Sequence, residues 1–153
     1  MTSHDGMGEL MRAVSETVDV VYKTRYFSPT RAHLTDSGFD LYSSIHKTIW
    51  PFCRVILPTG VFLQLPKGYE GQIRGKSGLA AEGLIVHWGT VDTDYRGEIR
   101  VVMFNLSLWP KRVRMGDKIA QLVVSPVTNV ELEKGVVDKS TSRGGGGFGS
   151  TGR

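Results

Sequence analysis

What this sequence lacks narrows it first. It holds a single cysteine, Cys53, so no intrachain disulfide can form, which fits a reducing compartment. Beside Phe52, that cysteine reads as a small, half-buried apolar residue rather than a nucleophile. Four scattered histidines and one cysteine give no zinc spacing. No apolar run approaches membrane-spanning length, and the opening MTSHDGMGEL carries no basic-then-apolar secretory pattern. The expectation is a cytoplasmic or nuclear protein without a membrane partner. No block of lysine and arginine stands out either. The formal net charge of +4 favours anionic partners, but without such a block a nucleic-acid partner is not expected.

The 153 residues, 40% hydrophobic and 22% charged, suit one domain with a core of its own. Met7, Leu10, Met11 and Val14 follow i, i+3, i+4, i+7 spacing, which fits either a short amphipathic helix or a frayed extension over residues 1–17. From Val18 the texture changes to short β-type runs divided by Gly, Pro and Asp. They are residues 18–26, 54–60, 60–66, 70–75, 97–107 and 118–127, with Pro58 and Pro66 expected at turns or edges. Only KSGLAAEG (76–83) looks helical within this region. Many strands at close spacing with one short helix predict an all-β sandwich or barrel over residues 18–136. The chain then turns polar and glycine-rich, so residues 137–153 read as an arm leaving the body.

Five stretches carry residues suited to chemistry. In DSGFDLYSS (36–44), Asp36 and Asp40 flank a glycine turn; a common turn explains this, as does one carboxylate serving a hydrated Mg²⁺. GKSGLA (75–80) opens the short helix, where Ser77 either caps it or joins backbone N–H groups facing phosphate. In GTVDTDYRGEIRVVMFN (89–105), Asp92 and Asp94 alternate on what is expected to be extended chain, sharing a face, with Tyr95 and Arg96 next. That loop fits a surface turn with an ion pair, or a carboxylate that orients water beside a ring packed on substrate. GDKIAQL (116–122) sets the amide of Gln121 among apolar residues, where it needs partners. RGGGGFGSTGR (143–153) offers Arg143 as a bidentate donor, glycine N–H groups that can converge on phosphate, and Phe148 as a stacking ring. The shared theme is phosphate, Mg²⁺ and a ring: a nucleotide.

Together and in this order, SGFDLYS, GKSGLA, GTVDTDYRG, GDKIAQL and RGGGGFGSTG resemble the five motifs of the trimeric dUTP pyrophosphatase (dUTPase) family, over residues 18–152. The resemblance implies a homotrimer of jelly-roll-like β subunits that hydrolyses dUTP to dUMP and pyrophosphate. Its active sites are shared between subunits, and the C-terminal arm closes over a neighbouring site. It implies that Asp92 activates the attacking water and meets the sugar 3′-hydroxyl, while Tyr95 packs under the deoxyribose and excludes a 2′-hydroxyl. Lys76, Ser77, Gly78 and Gln121 would reach the phosphates, and Asp40 would hold Mg²⁺ through water. Gly89, Thr90 and Val91 would read uracil largely through backbone groups, with the Arg100 backbone nearby. Arg143, Gly149, Ser150 and Thr151 would grip the phosphates while Phe148 stacks over uracil.

Several positions depart from the family pattern. Gly75-Lys76-Ser77 stands where Pro-Arg-Ser is usual, which keeps the charge but loses the planar fork; Arg74, two residues earlier, is a candidate to make this up. Lys118 stands where Arg is common, Asp36 and Ser37 replace small apolar residues, and His87 and Trp88 replace smaller residues in the uracil hairpin. Other classes fit less well. A catalytically weakened dUTPase-fold module binding a protein partner would not be expected to retain Asp92 and the arm. A dCTP deaminase would need an acid/base group at the pyrimidine, and no candidate lies near the hairpin.

Overall fold

A computed structural model of the chain describes residues 17–146. Ten strands form three antiparallel groups. They are β1 (Val21–Thr24), β2 (Phe39–Tyr42), β3 (Lys47–Ile49), β4 (Arg54–Gln64), β5 (Tyr69–Arg74), β6 (Leu84–Val86), β7 (Gly89–Val91), β8 (Glu98–Asn105), β9 (Lys111–Val113) and β10 (Lys118–Pro126). One helix, α1 (Ser77–Ala81), follows β5. The sheets run β1-β4-β8-β6 and β2-β10-β5-β7, and β3 and β9 pair as a two-stranded ribbon. The all-β expectation holds.

Period-two alternation explains the layering. In β8, Ile99, Val101, Met103 and Asn105 are buried, while Glu98, Arg100, Val102 and Phe104 face the other way. Leu57, Val61 and Leu63 of β4, Leu41 of β2, Ile73 of β5 and Leu122 of β10 meet them in one core. Each such side chain contributes about 1.5–3 kcal/mol on burial. The buried Asn105 satisfies its amide by donating to the carbonyls of Ile49 and Trp109 at 2.8 Å, and its Oδ1 accepts from Ser107.

Several local expectations are corrected. Residues 54–60 and 60–66 are one eleven-residue strand, not two. Its register with β8 shifts between Pro58 and Phe62, so Pro58 lies at a bulge inside the strand, on the stretch that β1 leaves unpaired: an edge position, as expected, and not a turn. Gly60 takes φ +73 there, and Glu98 Oε1 accepts its N–H at 2.9 Å. Cys53 is exposed, because the tight turn after β3 points it away from the core. Residues 39–42, read as part of a turn, form β2 instead. The possible helix around Met7–Val14 lies outside the described residues.

Candidate active site

Register sets the first half of the site. Gln121 of β10 pairs with Asp40 of β2 on one side and with Arg74 of β5 on the other. Directly opposed residues share a sheet face with Cβ atoms about 5 Å apart. Asp40, Gln121 and Arg74 therefore form a row on the face turned away from the core, while Leu41, Ala120, Leu122 and Ile73 point inward.

Asp40 is buried and holds two ammonium groups. Lys76 Nζ donates to Oδ1 at 2.5 Å, and Lys118 Nζ lies 2.8 Å from Oδ2. Burial alone would push the Asp40 carboxyl up, but hydrogen bonds from Lys118 and Lys76 overcome this and hold it below its ordinary 3.8. The same contact raises the Lys118 ammonium above its ordinary value. Lys118 reaches Asp40 across an irregularity in register between Lys118 and Ala120, a feature with no signal in the sequence.

Lys76 occupies the N-cap position of α1 in extended conformation, with no side-chain capping bond. Ser77 is the first helical residue, so it does not cap the helix; Ser77 and Gly78 are exposed beside the row.

The second half of the site is built by the β6–β7 hairpin. Gly89, Thr90 and Val91 form β7 and pair with Ile73, Gln72 and Gly71. Val91 points into the core, whereas Thr90 is exposed. The chain then turns at once. Tyr95 N–H donates to the Asp92 carbonyl at 3.1 Å, so Asp92 and Asp94 sit on a turn and do not share a strand face as expected. Asp92 is exposed.

Tyr95 folds back over Gly97, and its hydroxyl donates to the Glu98 carbonyl at 3.0 Å. A Cβ at Gly97 would collide with the Tyr95 hydroxyl and would lie 2.5 Å from the ring's Cζ. An added Cβ there would displace the exposed Tyr95 ring. Glu98 went unnoticed in the sequence, yet it joins three features: its carboxylate accepts from Gly60 N–H and from Arg100 Nε at 3.2 Å, and its carbonyl accepts from Tyr95. Arg100 itself lies on the other sheet, opposite Pro58.

Trp88 of the hairpin reaches Arg74, but Asp92 stands apart from Asp40 within one chain. From Asp40 to β7 is three strand spacings, about 14 Å, and from Arg74 to the position opposite Val91 is about 10 Å along the sheet. Arg143 lies in an exposed turn, with its Nε donating to the Gly146 carbonyl at 3.0 Å. Phe148, Gly149, Ser150 and Thr151 lie outside the described residues.

The donor set can be weighed against Mg²⁺. Among the described residues no three His, Cys, Asp or Glu side chains gather as a metal cluster. Mg²⁺ commonly keeps several waters and takes one or two carboxylates plus substrate phosphates. Asp40 has a lysine ammonium on each oxygen and so does not form a direct ligand cage for such an ion.

The dUTPase family model matches residues 25–152. A deoxyuridine 5'-triphosphate nucleotidohydrolase of Anaeromyxobacter sp. (strain Fw109-5) is 47% identical over 120 residues, which cover 76% of this chain and 82% of that protein. The protein of the same name from Wolbachia sp. subsp. Drosophila simulans is 41% identical over 132 residues, 82% of this chain and 86% of that protein. A solved structure of the Staphylococcus bacteriophage 80alpha dUTPase with dUPNHPP has a TM-score of 0.83 at 26% identity, covering 90% of this chain and all of that one. The chain belongs to the dUTPase family.

Proposed function

We propose that this protein is a dUTP nucleotidohydrolase that cleaves dUTP to dUMP and pyrophosphate. Such an activity keeps uracil out of DNA and supplies dUMP for dTMP synthesis. The observation that carries the reading is the turn at 92–95, which brings an exposed carboxylate and a tyrosine ring folded over Gly97 onto one short loop. Asp92 orients a water for attack on the α-phosphorus and takes its proton. The Tyr95 ring lies under the deoxyribose and leaves no room for a 2′-hydroxyl. Backbone groups of Gly89, Thr90 and Val91 read the base, with the Arg100 backbone at their margin.

Lys76, Ser77, Gly78 and Gln121 receive the phosphates, joined by Arg143, Gly149, Ser150 and Thr151 of the arm, while Phe148 covers the base. Mg²⁺, held at the phosphates with Asp40 reaching it through water, would neutralise charge that builds on the phosphate oxygens. The separation of Asp92 from the Asp40–Gln121 row within one chain supports a homotrimer in which each site draws on more than one subunit. The alternative, a weakened interaction module, is not favoured, since Asp92 and Tyr95 are intact. Turnover in ¹⁸O-water tests the chemistry: label belongs in dUMP, and label in pyrophosphate would contradict attack at the α-phosphorus.

A further inference from the structure

Three cationic side chains crowd the end of β5 and the start of β10, and they are not equivalent. Lys76 and Lys118 both hold Asp40. Arg74, the third, has no carboxylate within ion-pair distance among the described residues, although it is half-buried. We propose that Arg74 is a phosphate-gripping residue of this site, its guanidinium held in place by Gln72 and Trp88. This deepens the nucleotide-hydrolase reading above and rests on it.

Position is the first support. Arg74 is the direct cross-strand partner of Gln121, with Asp40 on the far side of that residue, so its side chain emerges in the row assigned to phosphate. Two and three residues later the chain reaches Lys76 and Ser77. Within this row Arg74 is the guanidinium; the Lys76 ammonium is directed at Asp40 and offers no planar fork.

Orientation is the second support. Gln72 Nε2 donates to Glu70 Oε1 at 2.6 Å, which fixes the amide so that its Oε1 faces Arg74. That oxygen accepts from Arg74 Nε at 3.1 Å and from Nη2 at 2.5 Å. Because Ile73 pairs with Gly89, Trp88 stands beside Arg74, and the guanidinium carbon lies 5.6 Å from the centre of its ring. Trp88 is 64% exposed, so it is not a core residue. One edge of the guanidinium is thus tied down and one face is covered. Nη1 has no hydrogen-bond partner among the described residues and remains to donate. A half-buried cation without a counter-ion, beside a row built for phosphate, is satisfied by phosphoryl oxygens.

The test uses the full-length protein and the variants Arg74→Gln, Arg74→Lys, Trp88→Ala and Arg74→Gln/Trp88→Ala. Readouts are kcat and KM for dUTP, inhibition by inorganic tripolyphosphate and by deoxyuridine, and thermal unfolding. Arg74→Gln is expected to raise KM and weaken tripolyphosphate inhibition roughly 10- to 100-fold, with deoxyuridine inhibition unchanged. Arg74→Lys should restore only part of this. Trp88→Ala should weaken tripolyphosphate inhibition when Arg74 is present and have no further effect in Arg74→Gln.

Unchanged tripolyphosphate inhibition in a folded Arg74→Gln protein overturns the proposal, as does an equal loss for deoxyuridine. If Arg74→Gln fails to fold, Arg74→Lys decides: wild-type tripolyphosphate inhibition there overturns it. If the wild-type protein does not turn over dUTP, the function reading fails. Calorimetric binding of tripolyphosphate to wild type and Arg74→Gln then settles Arg74 by the same criteria.

Discussion

Asp40 and Lys76, 36 positions apart in sequence, meet at 2.5 Å where β2 and the start of α1 come together. Lys118 closes on the other carboxylate oxygen at 2.8 Å. One buried acid thereby fixes two basic side chains from separate parts of the chain. Removing its charge while keeping its shape would leave two ammonium groups facing an amide.

Asp40→Asn is therefore expected to destabilise the protein by about 1–3 kcal/mol at neutral pH, measured by urea unfolding. The folded-state pKa of Asp40 lies below its ordinary 3.8, so its stabilising contribution is present in full above that value. It is lost as pH falls through the folded-state pKa. The difference between wild type and variant should hold from neutrality down to about pH 4 and shrink below it. A constant difference down to pH 2 would contradict the pairing.

Asp92→Asn should bind dUTP with near wild-type affinity while turnover falls roughly 10²- to 10⁴-fold. The side chain is exposed on a turn and supports no core packing, so the unfolding temperature should not move. Single-turnover kinetics beside equilibrium binding separates the two effects. Near wild-type turnover would mean that another group is the base.

Gly97→Ala tests the placement of Tyr95. The added Cβ needs the space that the ring occupies, so the ring must move off its seat over Gly97. Discrimination between dUTP and UTP, as a ratio of kcat/KM values, should fall by roughly tenfold or more. An unchanged ratio would mean that Tyr95 does not set sugar specificity.

Truncation after Ser142 tests the arm. The strand body ends at Pro126, and residues 127–145 are exposed, without strand or helix. The shortened protein should unfold at the same temperature and scatter light as a trimer, yet lose most dUTP turnover. Full activity would remove the arm from the site.

The long strands were legible for different reasons: alternation is strong in β8, whereas β10 reads as a nearly continuous apolar run, with neighbouring residues buried in pairs. The three-residue strands β3 and β9 were not, since Lys47–Ile49 and Lys111–Val113 are too short to show a period. Gly60 misled in a different way. It reads as a turn residue, but its positive φ serves a bulge within a continuous strand. Site residues could be named from motif order, yet their mutual placement could not. The Asp40–Gln121–Arg74 row depends on register across three strands, and the contact of Lys118 with Asp40 depends on an irregularity in that register. The turn at Asp92 likewise replaced the extended chain that its alternating acids suggested.

The most direct test of the central claim is pyrophosphate release by the purified protein with Mg²⁺, comparing dUTP with dCTP, dTTP and UTP at equal concentration. The account predicts rapid release from dUTP and, at most, slow release from the other three. Equal release from all four, or none from any by a folded trimer, would contradict it.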